Sequence, residues 1–396
     1  MLYLFNNIKR KDIFDVITSN DKDMAISKLI EFGIKEGLSG NLYKKFIIYT
    51  LIYNDNAYTR AIEKGLEHKG ETIYLDNDLK YFYDLYNKNV DFGEALDFKF
   101  ISSTGDKYLS KLINNIYENI KDNSYETFKK SILDFYKMNG LSDMAVYKAF
   151  RVDDGVLKPI KNVLDVTFDD LIGYDEQKKL LKENTINFIN GKSYNNVLLY
   201  GDSGTGKSTS VKALLNEYFD LGLRIIEVYK HQMEEISKII NKLKNRPYHY
   251  IIYMDDLSFE ENEIEYKYLK SIIEGGIEPK PDNVVIYATS NRRHLIKETM
   301  ADNGGVFDDL HRNETQAEKL SLAYRFGLQI FYSSLSPSEF KEMVKELALR
   351  NDIKMPIDEL IKEATKWELT YGSLSGRCAT QFISYLANKE VKWWKI

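Results

Sequence analysis

With 396 residues, 43% of them hydrophobic, the chain is long enough for two or three domains with separate cores. Its net charge of −5 lacks the basic excess of a dedicated duplex-binding protein, so nucleic acid is not indicated, although a local basic face is compatible with that total. Cys378 is the single cysteine, which excludes an intramolecular disulfide and points to a reducing compartment, and the five histidines fall at no metal-ligand spacing.

The chain starts Met1-Leu-Tyr-Leu-Phe5, turns polar at Asn6 and is basic by Lys9, which leaves no apolar core of signal-peptide length. The apolar run Phe46 to Tyr53 is too short to span a bilayer, so the expectation is a cytoplasmic chain with no membrane contact. Residues 1–152 are predicted to form a mainly helical domain. Ala25, Leu29 and Phe32 mark one amphipathic face; Leu109, Leu112, Ile113, Ile116 and Ile120 mark another, and Tyr125, Phe128, Ile132 and Phe135 a third. These faces predict core or interface, not chemistry, and the default role of the region is recognition of a partner. The many tyrosines have a bland explanation in codon bias; base stacking would call for basic residues interleaved among them.

Asp153 to Pro159, broken by Gly155 and Pro159, reads as a connector. A second domain, 153–335, is predicted after it. A helical run from Asp175 to Phe188 precedes the strand Val197-Leu-Leu-Tyr200, and Gly201, Gly206, Lys207 and Ser208 then complete the pattern G-x-x-x-x-G-K-[ST]. Glycines let a backbone fold round an anion, and loop amides with a helix N-terminus present partial positive charge to phosphates. Gly201, Asp202, Ser203, Gly204, Thr205, Gly206, Lys207, Ser208 and Thr209 are therefore the candidate nucleotide-binding residues. Lys207 is placed to reach terminal phosphates and the Ser208 hydroxyl to coordinate Mg²⁺.

The loop helix, Lys207 to Asp220, hands over at Gly222 to a strand over Leu223 to Val228, giving the strand, helix, strand order of a parallel sheet. After a helix over Met233 to Leu243, the apolar strand Tyr250 to Met254 ends in Asp255 and Asp256. One carboxylate at such a tip serves the Mg²⁺ water shell, here Asp255, and the next, Asp256, orients or deprotonates an attacking water. The strand Asn283 to Ala288 ends in Thr289-Ser-Asn291; if it neighbours the other two, Asn291 can hold the water or contact the γ-phosphate.

In this run of motifs the chain resembles an AAA+ ATPase. Phe168 to Tyr174, with Ile172 and Gly173, resembles the box beside the adenine, Gly201 to Ser208 the Walker A motif, Tyr250 to Asp256 the Walker B motif, and Asn291 the sensor 1 position. More narrowly, Asp255 to Glu260, Pro281 to His294, Glu318 to Leu322 and Arg325-Phe-Gly327 resemble the bacterial family named domain of unknown function 815, over about Thr167 to Ala387 with a weaker start near Met144 to Phe150. The resemblance implies an α/β P-loop fold with a small C-terminal helical lid, 336–396, opened by Pro337 and packed through Phe340, Val344 and Leu347. It implies that Arg325 is an arginine finger offered in trans to a neighbouring subunit, that Arg377 is the sensor 2 arginine, and that the protein is a homo-oligomer, a ring or open ring. Cys378 is expected in the lid core, as are Trp393 and Trp394.

Asp256 stands where many AAA+ proteins carry glutamate, one methylene longer, so slow hydrolysis is compatible with the motif, and Glu260 is an alternative base. Three functions follow: an oligomeric ATPase that remodels or regulates a protein client; a slow-hydrolysing switch of the initiator or helicase-loader type, acting on DNA or a replication protein; and a small-molecule kinase, which needs neither Asn291 nor the two arginines.

Overall fold

The computed structural model describes residues 2–19, 21–66, 72–99, 107–120, 124–260, 263, 265–274, 280–293, 295 and 322–393. His294, Glu318 to Ser321 and Trp394, singled out above, lie outside them. The chain divides into two compact units, Met1–Tyr147 with Asn245–Tyr248, and Lys148–Lys244 with His249–Ile396.

The first unit is helical: α1 (Lys11–Thr18), α2 (Lys22–Glu36), α3 (Leu42–Ile52), α4 (Ala57–Glu63), α5 (Thr72–Tyr86), α6 (Lys107–Asn119), α7 (Tyr125–Asn139) and α8 (Ser142–Val146). The three predicted faces lie on α2, α6 with Ile120 just past its end, and α7, and are buried except for Tyr125, which is half-buried. α3 is apolar nearly all round and sits inside the resulting core, as a helix without a polar face must. At the chain start the backbone N–H groups of Tyr3, Leu4 and Phe5 donate to the buried carboxylate of Asp78, which supplies the acceptors a buried backbone needs. Within the same unit, Arg246 forms a two-pronged pair with Glu63 at 2.9 and 3.1 Å.

The second unit is built on a seven-stranded sheet among the described residues. Its strands are β1 (Ala149–Asp153), β2 (Val156–Ile160), β3 (Val197–Gly201), β4 (Leu223–Glu227), β5 (His249–Met254), β6 (Val284–Ser290) and β7 (Leu328–Tyr332), in the order β2-β1-β4-β5-β6-β3-β7. All pairings are parallel except that of β1 with β2. The predicted connector at 153–159 is a hairpin instead. Asp154 and Gly155 both have positive φ, +48° and +68°, the backbone of a two-residue turn that suits twisted strands. The second unit thus starts at Lys148, ahead of the expected boundary at 153, and Pro159 is tolerated because β2 is an edge strand.

Helix α9 (Asp175–Ile189), which leads into β3, and the crossover helices α10 (Lys207–Tyr218), α11 (Ile236–Leu243) and α12 (Glu265–Glu274) belong to this unit. The predicted helix at 233–243 is shorter than expected: its first turn is 3₁₀, and α11 begins at Ile236. β3 to β6 read as near-continuous apolar runs because both sheet faces are covered. After β7, α13 (Pro337–Arg350), α14 (Ile357–Tyr371) and α15 (Gly376–Trp393) enclose a separate apolar cluster that includes Phe340, Val344, Cys378 and Phe382. Ser336 caps α13 reciprocally with Glu339, and Pro337 follows where its missing N–H costs nothing. Among the described residues, no helix is long and apolar enough to cross a membrane.

Candidate nucleotide site

β3 lies between β6 and β7, and β5 is on the other side of β6, so the carboxyl ends of β3, β5 and β6 form one edge. The register pairs Tyr200 with Ser290 and Met254 with Ala288. The next residues along, Gly201, Asn291, Asp255 and Asp256, therefore emerge together at the crevice where open α/β sheets bind ligands.

Gly201 turns the chain out of β3 with φ +134°, and a Cβ there would lie 2.0 Å from the Tyr332 carbonyl oxygen. Only glycine permits that approach. The loop folds back over its own lysine. The Lys207 ammonium donates to the carbonyl oxygens of Gly201 at 2.8 Å and Asp202 at 2.6 Å, and to Asn291 Oδ1 at 3.0 Å. Burial is the largest influence on this group and lowers its pKa, against the opposing pull of Asp256, Asp202 and Asp255.

Asp255 accepts three hydroxyl hydrogen bonds on Oδ1, from Ser208 at 2.6 Å, Thr289 at 2.6 Å and Tyr253 at 2.7 Å. Burial by itself would raise its pKa; the three donors overcome this and hold the carboxyl below its ordinary value. Tyr253 reaches Asp255 because residues two apart on a strand share a face, and Thr289 and Asn291 share a face for the same reason. Thr289 Oγ1 also accepts the Asp256 N–H at 2.9 Å, while the Asp256 carboxylate accepts from Asn291 Nδ2 at 2.7 Å. Asp256 has φ +51°, a left-handed backbone that costs most residues energy and that aspartate tolerates better than most. Asn291 thus joins the loop lysine to the second acid. Its amide orientation follows from its partners, since an ammonium needs an acceptor and a carboxylate a donor.

A cavity of about 620 Å³ opens over these groups. Of the predicted residues, Ile172, Ser203, Gly204, Thr205, Gly206, Lys207, Ser208, Thr209, Asp255, Asp256, Asn291 and Arg377 line it. Four do not. Gly201 ends β3 packed against the Tyr332 backbone, Gly173 turns the chain between Ile172 and Tyr174, and the Asp202 carboxylate is taken up by Ser334. Arg325 pairs with Glu274, Nε to Oε1 at 2.6 Å. Glu260 is not among the lining residues either. Sequence reasoning missed Tyr253 and Thr289, which the two-residue strand period could have picked out, and Met343, Leu347, Thr380 and Gln381, which the helices after β7 bring to the cavity. The Arg377 N–H donates to the Gly204 carbonyl at 3.2 Å, and a Cβ at Gly204 would come within 3.0 Å of Arg377 Cβ.

The donor set fits a nucleotide with a hard divalent cation. A buried lysine held by neutral oxygens, a glycine-bearing loop at a helix N-terminus and the Ser208–Asp255 contact supply ammonium, amides, hydroxyl and carboxylate; Leu171, Ile172, Met343 and Leu347 supply apolar walls. Among the described residues no cluster of three or more metal-ligating side chains exists, and a Mg²⁺ site completed by substrate phosphates needs none.

The phosphate loop, the paired acids and Asn291, set on this sheet and followed by the three-helix cluster, define an AAA+ P-loop protein. The chain belongs to the family described as "Protein of unknown function (DUF815)", which matches residues 143–390. It is 24% identical over 214 residues to the replication factor C large subunit of Nanoarchaeum equitans, a match covering 52% of this chain and 42% of that protein. The chain therefore spans less than half the length of that relative. Solved structures similar to it include a single-residue variant of Thermotoga maritima RuvB, with 18% identity, TM-score 0.38, and 55% of this chain and 63% of that one covered. Another is the FIGL-1 AAA domain in complex with ADP, with 14% identity, TM-score 0.40, and 58% and 76% covered.

Proposed function

We propose that this protein binds ATP with Mg²⁺ and hydrolyses it to ADP and phosphate, coupling the cycle to remodelling or regulation of a macromolecular partner. The observation that carries the reading is Asn291, which accepts from Lys207 and donates to Asp256, so the group that grips phosphate and the group that handles water share one amide. The loop from Ser203 to Thr209 would hold the phosphates, Ser208 and Asp255 the Mg²⁺, and Ile172 with Met343 and Leu347 the base. Bound Mg²⁺ supplies charge neutralisation and polarisation at the phosphoryl oxygens. Asp256 orients the attacking water and takes its proton, and Asn291 fixes the Asp256 carboxylate; a general base of this kind contributes roughly 10²- to 10⁴-fold.

Arg377 meets the nucleotide from the C-terminal helices, which act as a lid over 336–396, and Arg325 is offered to the nucleotide of a neighbouring subunit in a cytoplasmic homo-oligomer. In that arrangement Glu274 is the partner Arg325 leaves. The second unit, from Lys148 to the end of β7, carries the chemistry, and the helical unit, Met1–Tyr147 with Asn245–Tyr248, recognises the client. The test is phosphate release by the assembled protein. Arg325→Ala is expected to lose about 10³-fold or more while ATP binding persists, as removal of an arginine finger does. An assembled Arg325→Ala protein that hydrolyses ATP like the parent overturns the trans role, and ATP turnover that yields a phosphorylated acceptor in place of free phosphate supports a kinase instead.

A second reading is favoured by Asp256 itself. The short acid, fixed by Asn291 on a left-handed backbone, suits a slow switch that holds ATP, and one protein similar in sequence is a replication factor C large subunit. The partner would then be DNA or a replication protein. DNA affinity that falls steeply with salt supports it; no binding at low salt removes the DNA form.

A further inference from the structure

We infer that Asp202 is a positioning residue that couples the phosphate loop to the C-terminal helices, so that nucleotide in the loop sets the placement of α13. This rests on the nucleotide-binding reading above. Asp202 follows Gly201 in the loop, yet its carboxylate does not line the cavity. Oδ2 accepts from the Ser334 hydroxyl at 2.6 Å and the Ser334 N–H at 3.2 Å. Ser334 lies in the short link between β7 and α13, and neighbouring links in it are fixed too. The Ser333 carbonyl accepts from the Tyr174 hydroxyl at 2.8 Å, and the Leu335 N–H donates to the Leu374 carbonyl at 3.0 Å.

The same residue faces the nucleotide side through its main chain. Its carbonyl oxygen accepts from Lys207 Nζ at 2.6 Å and from Thr205 Oγ1 at 2.8 Å, and its N–H donates to the Tyr332 carbonyl at 3.2 Å. An ammonium has three N–H donors. Here they go to Gly201, Asp202 and Asn291, so a phosphate oxygen that takes one must release one of those acceptors. Releasing the Asp202 carbonyl frees the residue to turn, and its carboxylate carries Ser334 with it. The contact of Arg377 N–H with the Gly204 carbonyl ties the first turn of α15 to the same loop, so the helices after β7 are held to the loop at two points. A carboxylate serving only to satisfy a local turn would not need to sit on the residue whose carbonyl holds the lysine.

The test uses the full chain and ADP as probe, with calorimetric titration and backbone hydrogen exchange of residues 337–350. Asp202→Ala and Ser334→Ala are each expected to weaken ADP binding about three- to ten-fold, as loss of an exposed hydrogen bond to a carboxylate does. The double variant should be no weaker than the weaker single, and the protection that ADP confers on 337–350 should disappear in all three. Asp202→Asn keeps an acceptor for Ser334 and should retain that protection, which guards against a folding defect in the alanine variant. Losses that multiply in the double variant, or ADP-induced protection unchanged in Asp202→Ala, overturn the coupling. A parent protein that binds no ADP or ATP overturns the nucleotide reading and the coupling with it.

Discussion

Asn291 Nδ2 donates to the Asp256 carboxylate across 2.7 Å, and this contact is what keeps the acid in a defined place on an otherwise unfavourable backbone. Removing it in Asn291→Ala is expected to lower phosphate release roughly 10- to 100-fold, the worth of a hydrogen bond to a charged group, with nucleotide affinity changed only a few-fold. Asn291→Asp should be worse, because it places two carboxylates together. Single-turnover kinetics separate the chemical step from binding. Equal losses in kcat and affinity would contradict the role assigned to Asn291.

The acid limb of Mg²⁺–nucleotide binding should report Asp255. Its carboxyl is held below the ordinary value by three hydroxyls working against burial. A depressed folded-state pKa gives stability that is present above the unfolded value, about 3.9, and is lost as pH falls through the lowered folded value. Thr289→Val with Tyr253→Phe removes two donors, lets burial dominate and moves the acid loss to higher pH. An affinity profile unmoved by the double change would show that these hydroxyls do not control the acid.

In the helical unit, Arg246→Ala should be the costliest surface-loop substitution, at about 3–5 kcal/mol, because it strands the buried Glu63 carboxylate. Burial raises the Glu63 pKa, and Arg246 opposes that rise. A raised folded-state pKa means that the native state binds the proton more tightly, so this group's stability contribution is full at low pH and is lost as pH rises through the folded value. The Arg246→Ala penalty should therefore shrink on acidification. Denaturant titrations at several pH values check it, and a penalty constant with pH would remove the explanation.

Gly201→Ala should abolish the soluble fold, since its Cβ would overlap the Tyr332 backbone, which no rotamer change can move. Gly173→Ala is the comparison: it has φ +77° with nothing within 4 Å, so its cost is only the left-handed backbone, about 1–2 kcal/mol. Expression and thermal unfolding of the two variants side by side give the answer.

The phosphate loop and the two acids were legible because their chemistry lies in contiguous residues: a strand, a glycine turn and a lysine, then an apolar strand with acids at its tip. The helical faces of α2, α6 and α7 were legible because they recur at helical spacing. The Asp154–Gly155 hairpin carries its own turn signal, an Asp-Gly pair between two short strands, which the chain-breaking character of Gly155 and Pro159 masks.

What the sequence by itself determined is thus the local code: which segments are apolar on which face, and where a glycine loop with its lysine and a strand ending in two acids occur. Only the tertiary structure decided what those parts do to one another. Sheet order put β6 between β3 and β5, which is why Asn291 can reach both Lys207 and Asp256 although 84 and 35 residues separate them. It also turned the Asp202 carboxylate away from the cavity and onto Ser334, 132 residues on, and brought Thr289 to Asp255. Such contacts depend on strand neighbours and register, and a residue's own neighbours in the chain carry no record of them.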